Sequence, residues 1–139
     1  MSLTKADRVL VIQVSTVGRL AFRSMIARSL EQDVDYRFFS IFDPDILLTH
    51  VVPGFRQLIL TSHVDEVKAP EVAETVKSIN PDAFIFALTS SLCSAEGTEL
   101  DGVIPKMTMP HGFMDRFIRC FEAGCSRNDL IRVIKEIRD

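Results

Sequence analysis

The sequence predicts an α/β protein built on a parallel sheet that is covered on both faces. Short apolar runs alternate with longer amphipathic stretches from one end of the chain to the other. The runs are continuously apolar, as suits strands buried on both faces, rather than alternating as a half-wet strand would. The stretches between them open and close with helix-end residues. At 139 residues the chain has the size of one domain with a single core, and we read residues 1–139 as one unit. Met1-Ser2-Leu3 reads equally as a native start or a cloning scar and is given no structural weight.

The strand candidates are VLVIQV (9–14), YRFFSIF (36–42), QLILT (57–61), AFIFALT (83–89) and DGVIPKM (101–107). Most are rich in β-branched or aromatic residues and too short for helices. The first helix candidate, GRLAFRSMIARSLEQ (18–32), brings Phe22, Met25, Ile26, Ser29 and Leu30 to one side at helical spacing. The second, DPDILLTHV (43–51), opens with Asp43 as N-cap and Pro44 at the first helical position. APEVAETVKSI (69–79) uses Pro70 in the same way, spaces Val72, Val76 and Ile79 along one face, and stops at Asn80-Pro81. FMDRFIRCFEAG (113–124) closes on Gly124 as its C′ residue. In SRNDLIRVIKEIRD, Ser126 and Asp129 have the spacing of a capping box, and Leu130, Val133, Ile134 and Ile137 form a buried stripe.

Strand and helix in regular alternation give a parallel sheet with helices on both sides. Right-handed crossovers then favour a flavodoxin-like three-layer sandwich with strand order 2-1-3-4-5. One connection is anomalous. Only SSLCSAEGTEL (90–100) joins the fourth strand to the fifth, and a parallel crossover takes about a dozen residues or more. The fourth helix is expected to be short, distorted or absent, and an extra helical segment to follow the fifth strand.

Composition removes several classes of function. The chain is 47% hydrophobic and 25% charged, which is globular rather than disordered. A net charge of −3, with no basic stripe, gives no electrostatic case for nucleic acid or an anionic membrane. No apolar run approaches a membrane span of ~18 residues, and no signal-peptide core is present. Cys93, Cys120 and Cys125 are odd in number, with no CxxC and no ligand-spaced histidines. The expectation is therefore no zinc site, no disulfide framework and a reducing, cytoplasmic setting, with Cys120 a small half-buried hydrophobe.

In a sheet of this order, ligands bind beyond the carboxyl ends of the strands, near the switch between strands one and three. The residues there are Gln13, Val14 and Ser15, then Thr61, Ser62 and His63, then Thr89 and Ser90, then Lys106. IFALTS (85–90) followed by DGVIPKM (101–107) resembles the end of a response-regulator receiver domain, the phosphoacceptor module of two-component and phosphorelay signalling. The resemblance runs from about Arg8 to Asp139 and takes in DPDILLTHVVPGFRQLIL as the second helix leading into the third strand. It implies that Thr89 holds the switch-hydroxyl position and Lys106 the position of the family's lysine. It also implies an acidic pair at the end of the first strand and a phosphoacceptor aspartate at the end of the third.

This sequence departs from the family at both acidic positions. Gln13, Val14 and Ser15 stand where the metal-holding acids would be, and Ser62 where the aspartate would be. Magnesium is held through one or two carboxylates plus phosphate oxygens, and phosphoryl transfer depends on that charge neutralisation. Ser62 is a weak nucleophile without an adjacent base, and its chain neighbour His63 falls on the opposite side of an extended strand. The expectation is a pseudo-receiver: no enzyme, no metal, no cofactor, no phosphorylation, and a role in binding a protein partner.

Two other readings remain. Asp65 or Glu66, just beyond the third strand, could be an unorthodox phosphoacceptor, although acids there also suit the N-terminus of the next helix. Ser15, Ser62, Thr89 and Lys106 could instead form a mildly positive, hydroxyl-lined cup for an anion or small molecule. STVGR (15–19) is a weak phosphate-loop pattern with no Trp or Tyr beside it to stack on a flavin. No dinucleotide or P-loop pattern occurs. His50 and His111 lack ligand-spaced partners, and a triad of Ser62, His111 and Asp101 has no nucleophile elbow to support it. The stretch Phe113, Met114, Phe117, Ile118 and Phe121 is apolar over more than one side of its helix. It reads either as core or, in part, as a partner or homodimer surface.

Overall fold

Leu58, Ile59 and Leu60 follow one another along a strand, so their side chains point alternately to opposite faces. All three are wholly buried, which requires cover on both sides of the sheet. In a computed structural model of the chain, the structure describes residues 9–13, 37–39, 50–54, 56–62, 68–89, 97–105 and 112–138. The elements are strands β1 (Val9–Gln13), β2 (Arg37–Phe39), β3 (Leu58–Ser62), β4 (Phe84–Thr89) and β5 (Gly102–Pro105), with helices α1 (Lys68–Ile79), α2 (Phe113–Glu122) and α3 (Arg127–Arg138). The strands run β2-β1-β3-β4-β5, and every neighbouring pair is parallel.

The α/β expectation holds, and the sheet divides the core in two. On one face, Leu58, Leu60, Phe86, Leu88 and Ile104 pack with Phe113, Phe117 and Phe121 of α2 and Leu130 and Ile134 of α3. On the other face, Ile59, Ile85 and Ala87 pack with Val72, Ala73 and Val76 of α1. Two phenylalanine pairs meet edge to face, Phe86 and Phe117 at 90° with centroids 5.1 Å apart and Phe84 and Phe121 at 79° and 6.0 Å, while Phe113 stacks on Phe117 at 30° and 5.8 Å. Such pairs add about 1 kcal/mol beyond their buried area. Gly102 stands opposite Phe86 in the β4–β5 register. A Cβ there would lie 3.0 Å from the Phe86 ring, so the position admits no larger residue without a shift.

Phe113, Met114, Phe117, Ile118 and Phe121 are all buried, none more than 4% exposed. Of the two readings the stripe left open, core or in part a partner surface, the burial favours core. The helix is apolar on more than one side because it has more than one neighbour: the sheet lies against one side and α3 against another.

Helix ends follow their local signals. Pro70 lies in the first turn of α1, where a missing N–H serves no carbonyl. The helix stops where the Asn80 amide makes its last bond back to Val76 (2.8 Å) and Pro81 follows. At the end of α2, Gly124 takes φ 91°, the left-handed conformation a C′ glycine supplies. The Gly124 amide bonds to Phe121 O (3.0 Å) and the Cys125 amide to Cys120 O (3.2 Å), the two bonds of a Schellman motif. Ser126 Oγ then accepts from the Asp129 amide (3.2 Å), and Asp129 Oδ2 accepts from the Ser126 amide (3.1 Å), completing the capping box of α3.

The cysteines differ from expectation. Cys120 and Cys125 are joined as a disulfide with their Cα atoms 5.8 Å apart, a usual separation for such a bond. The odd count misled because the Schellman turn brings these two positions together regardless of the third cysteine. Cys93 and the first and second helix candidates, apart from His50 and Val51, lie outside the described residues. Most of the 90–100 connection does too, and its described residues, 97–100, are not helical.

Candidate functional site

The carboxyl ends of the strands are set by register. Gln13, the last residue of β1, pairs with Ser62, the last residue of β3, and Ser62 pairs with Leu88 on β4. Thr89 closes β4 opposite Pro105, the last residue of β5, and Lys106 is next in the chain. The backbone thus brings Gln13, Ser62 and Thr89 to one edge of the sheet, with no carboxylate at any of the three positions. Val14, Ser15, His63, Asp65, Glu66, Lys106 and His111 lie outside the described residues.

One side chain at this edge has an unmet bond. Thr61 is wholly buried one residue before the end of β3, and its hydroxyl has no hydrogen-bond partner among the described residues. A buried hydroxyl left unpaired costs about 1–3 kcal/mol. Thr61 pairs in register with Ala87, which can offer no side-chain acceptor. Among the described residues no group of three His, Cys, Asp or Glu side chains is placed to hold a metal ion.

Among the described residues, the opposite end of the sheet carries the densest polar chemistry. Asp101, just before β5, has a carboxylate only 3% exposed. It accepts from the Ile85 amide at 2.7 Å, from Lys77 Nζ at 3.0 and 3.3 Å, and from Arg127 Nη1 at 3.3 Å. Lys77 also donates to Ala83 O at 2.5 Å. Asp101 therefore ties α1, β4, β5 and α3 together, and it is engaged in that role rather than in a hydrolase triad. A cleft of about 350 Å³ opens beside it, lined by Lys77, Pro81, Thr98, Glu99, Leu100, Asp101 and Arg127. Its charges balance, two basic against two acidic, and Asp101 already takes up both cations.

Two further polar devices support this end. Gln57, wholly buried before β3, donates to His50 O (2.8 Å) and accepts from the Val52 amide (3.0 Å) and from Asn80 Nδ2 (3.1 Å). Arg56, its exposed neighbour, lays its guanidinium 4.1 Å from the Phe121 ring centroid and 5.3 Å from that of Phe84. It donates to Phe121 O and, at 2.6 Å, to Cys125 O, which seats the end of α2 against the sheet. Cation–π contacts of this kind contribute about 0.5–1 kcal/mol at exposed sites.

Sequence reasoning missed Arg56, the Asp101 hub and the cysteine pair. The first two join residues far apart in the chain, with no local pattern to reveal them. The cysteines had a local signal, their places four residues before and one residue after the C′ position flagged by Gly124. None of the described helices is long and apolar enough to cross a membrane. No protein-family model matches the chain, and neither a curated protein nor a solved structure does.

Proposed function

We propose that this chain is a flavodoxin-like, receiver-type signalling domain that works without phosphorylation, by binding a protein partner. The reading rests on one observation: the register pairing of Gln13 with Ser62 at the carboxyl ends of β1 and β3. Those are the positions at which the receiver resemblance calls for acids. The order β2-β1-β3-β4-β5 and the position of Thr89 at the end of β4 support the same reading. Without carboxylates at these strand ends a divalent cation has no anchor, and an incoming phosphoryl group has neither an acceptor nor charge neutralisation. What such a scaffold retains is its surface. The partner is a protein or a neighbouring domain of a signalling pathway, or a second copy of the chain. The five buried apolar residues of α2 are not part of that surface.

The test is incubation with a small phosphodonor, acetyl phosphate or phosphoramidate, in the presence of Mg²⁺, followed by intact-mass measurement. No phosphorylated species is expected, and Mg²⁺ alone is expected to leave the melting temperature unchanged, since a ligand of the folded state must raise it. A phosphoryl adduct mapped to Asp65 or Ser62 would sink the proposal in favour of an active receiver. A thermal shift with inorganic phosphate that is lost in Lys106→Ala would instead favour an anion sensor.

A further inference from the structure

We propose that Cys120 and Cys125 are a reversible thiol–disulfide exchange site, with low-molecular-weight disulfides such as glutathione disulfide as oxidant. The two sulfurs are joined across a helix end whose geometry does not depend on the bond between them. The turn is held by the Gly124–Phe121 and Cys125–Cys120 backbone bonds, by Gly124 at φ 91°, and by the Ser126–Asp129 capping box. Arg56 holds the same corner from the sheet side through Phe121 O and Cys125 O. Reduction therefore leaves the thiols adjacent rather than releasing them. Holding two reacting groups together in this way makes ring closure effectively unimolecular. Both cysteines are half-buried against the core rather than enclosed in it, and exchange requires that an external thiol or disulfide reach one of them.

The two sulfurs differ in electrostatic setting. Cys120 lies in the last turn of α2, at the negative end of its dipole. Cys125 lies just before Ser126, at the positive end of α3, and its carbonyl accepts from the Arg56 guanidinium. Negative charge is better held on Cys125, which makes it the attacking sulfur. Its thiolate, having released a proton to solvent, attacks one sulfur of glutathione disulfide, forming a mixed disulfide and expelling one glutathione thiolate. Cys120 then loses its proton and attacks the Cys125 sulfur, expelling the second. Two protein thiols are oxidised, one glutathione disulfide is reduced to two glutathiones, and the two released protons balance the two leaving thiolates.

The site is tested on the full chain carrying Cys93→Ser, equilibrated in buffers of graded reduced and oxidised glutathione, acid-quenched, alkylated and weighed. A single two-electron transition is expected between the buffer extremes, with unchanged far-ultraviolet circular dichroism in both forms. A disulfide that survives reduced glutathione alone in the folded protein is a permanent cross-link and overturns the proposal. Two free thiols persisting in oxidised glutathione alone overturn it as well. The direction of attack is read from single variants: Cys125 in Cys120→Ser should form the mixed disulfide about five-fold faster than Cys120 in Cys125→Ser, the factor expected from a favourable helix-end charge. Equal or reversed rates overturn the assignment of Cys125 as attacking sulfur. Should either serine variant fail to fold, the glutathione titration of the parent still decides the main claim.

Discussion

Replacing Asp101 tests whether its buried carboxylate holds the amino end of the sheet to both helical layers. Asp101→Ala leaves the buried Ile85 amide without its 2.7 Å acceptor, a loss of about 1–3 kcal/mol. It also removes the carboxylate from Lys77, whose side chain is 16% exposed and which keeps only Ala83 O among these partners. A hydrogen bond to a charged group contributes about 1.5–3 kcal/mol. Arg127 is 58% exposed, and an ion pair so open to water contributes about 0–1 kcal/mol, which we discount. The sum is about 4 kcal/mol, or roughly 14 °C in melting temperature for a chain of this size. Asp101→Asn keeps an oxygen for the Ile85 amide and loses only the charge, so about 2 kcal/mol is expected. Urea unfolding followed by circular dichroism measures both, provided the m-value is unchanged. A double-mutant cycle with Lys77→Met isolates the 77–101 term, expected at about 1–2 kcal/mol. Equal destabilisation by Asn and Ala would refute the role given to the Ile85 amide. A coupling below about 0.3 kcal/mol, the level at which independent sites add, would refute the role given to Lys77.

Three further outcomes follow from the same geometry. Thr61→Val removes a buried hydroxyl with no partner among the described residues and should stabilise the fold by about 1 kcal/mol in the same urea assay; destabilisation would mean that the hydroxyl has a partner. Gly102→Ala sets a Cβ 3.0 Å from the Phe86 ring and should cost about 1–3 kcal/mol, with loss of the edge-to-face signature in near-ultraviolet circular dichroism. The Asp129 carboxyl is held below its ordinary value of 3.8, first by the Ser126 backbone N–H, then by the Ser126 side chain, with a smaller contribution from Arg132. A depressed carboxylate contributes stability above its unfolded pKa and loses it as pH falls through the folded one. The difference between the parent and Asp129→Asn should therefore be constant near neutrality and shrink only below about pH 4; NMR titration of the carboxyl reads the shift directly.

These perturbations separate what the sequence makes legible from what it hides. Leu58-Ile59-Leu60 reads as a strand buried on both faces because three consecutive apolar residues leave no wet side, and the two core clusters divide them as alternation requires. The stops at Asn80 and Gly124 and the start at Ser126 read well because each depends on residues within one helical turn. Asp101 does not read as a hub, because its cation lies 24 residues away and its backbone donor 16. Arg56 is further still from its acceptors, by 65 and 69 residues. The strand-end site is legible as a set of positions, Gln13 with Ser62 and Thr89 with Pro105, because parallel register follows from the order of the runs. Which polar groups would converge there is a matter of loop geometry, on which apolar periodicity is silent.

The cysteine pair belongs to neither class, since it is local and was still missed. Counting cysteines asks whether every sulfur has a partner somewhere, and three of them in this chain suggested that none did. Helix termination asks a narrower question, namely which side chains a left-handed C′ residue brings together. In a Schellman motif the residue after the glycine and the residue four before it come into contact, usually as a hydrophobic pair. Here those residues are Cys125 and Cys120, with Gly124 between them at φ 91°. A cysteine, three residues, a glycine and a second cysteine at the end of an amphipathic helix therefore carries a pairing signal that an odd total does not cancel. The signal comes from the backbone, which explains why the two sulfurs can open and close without moving the corner that holds them.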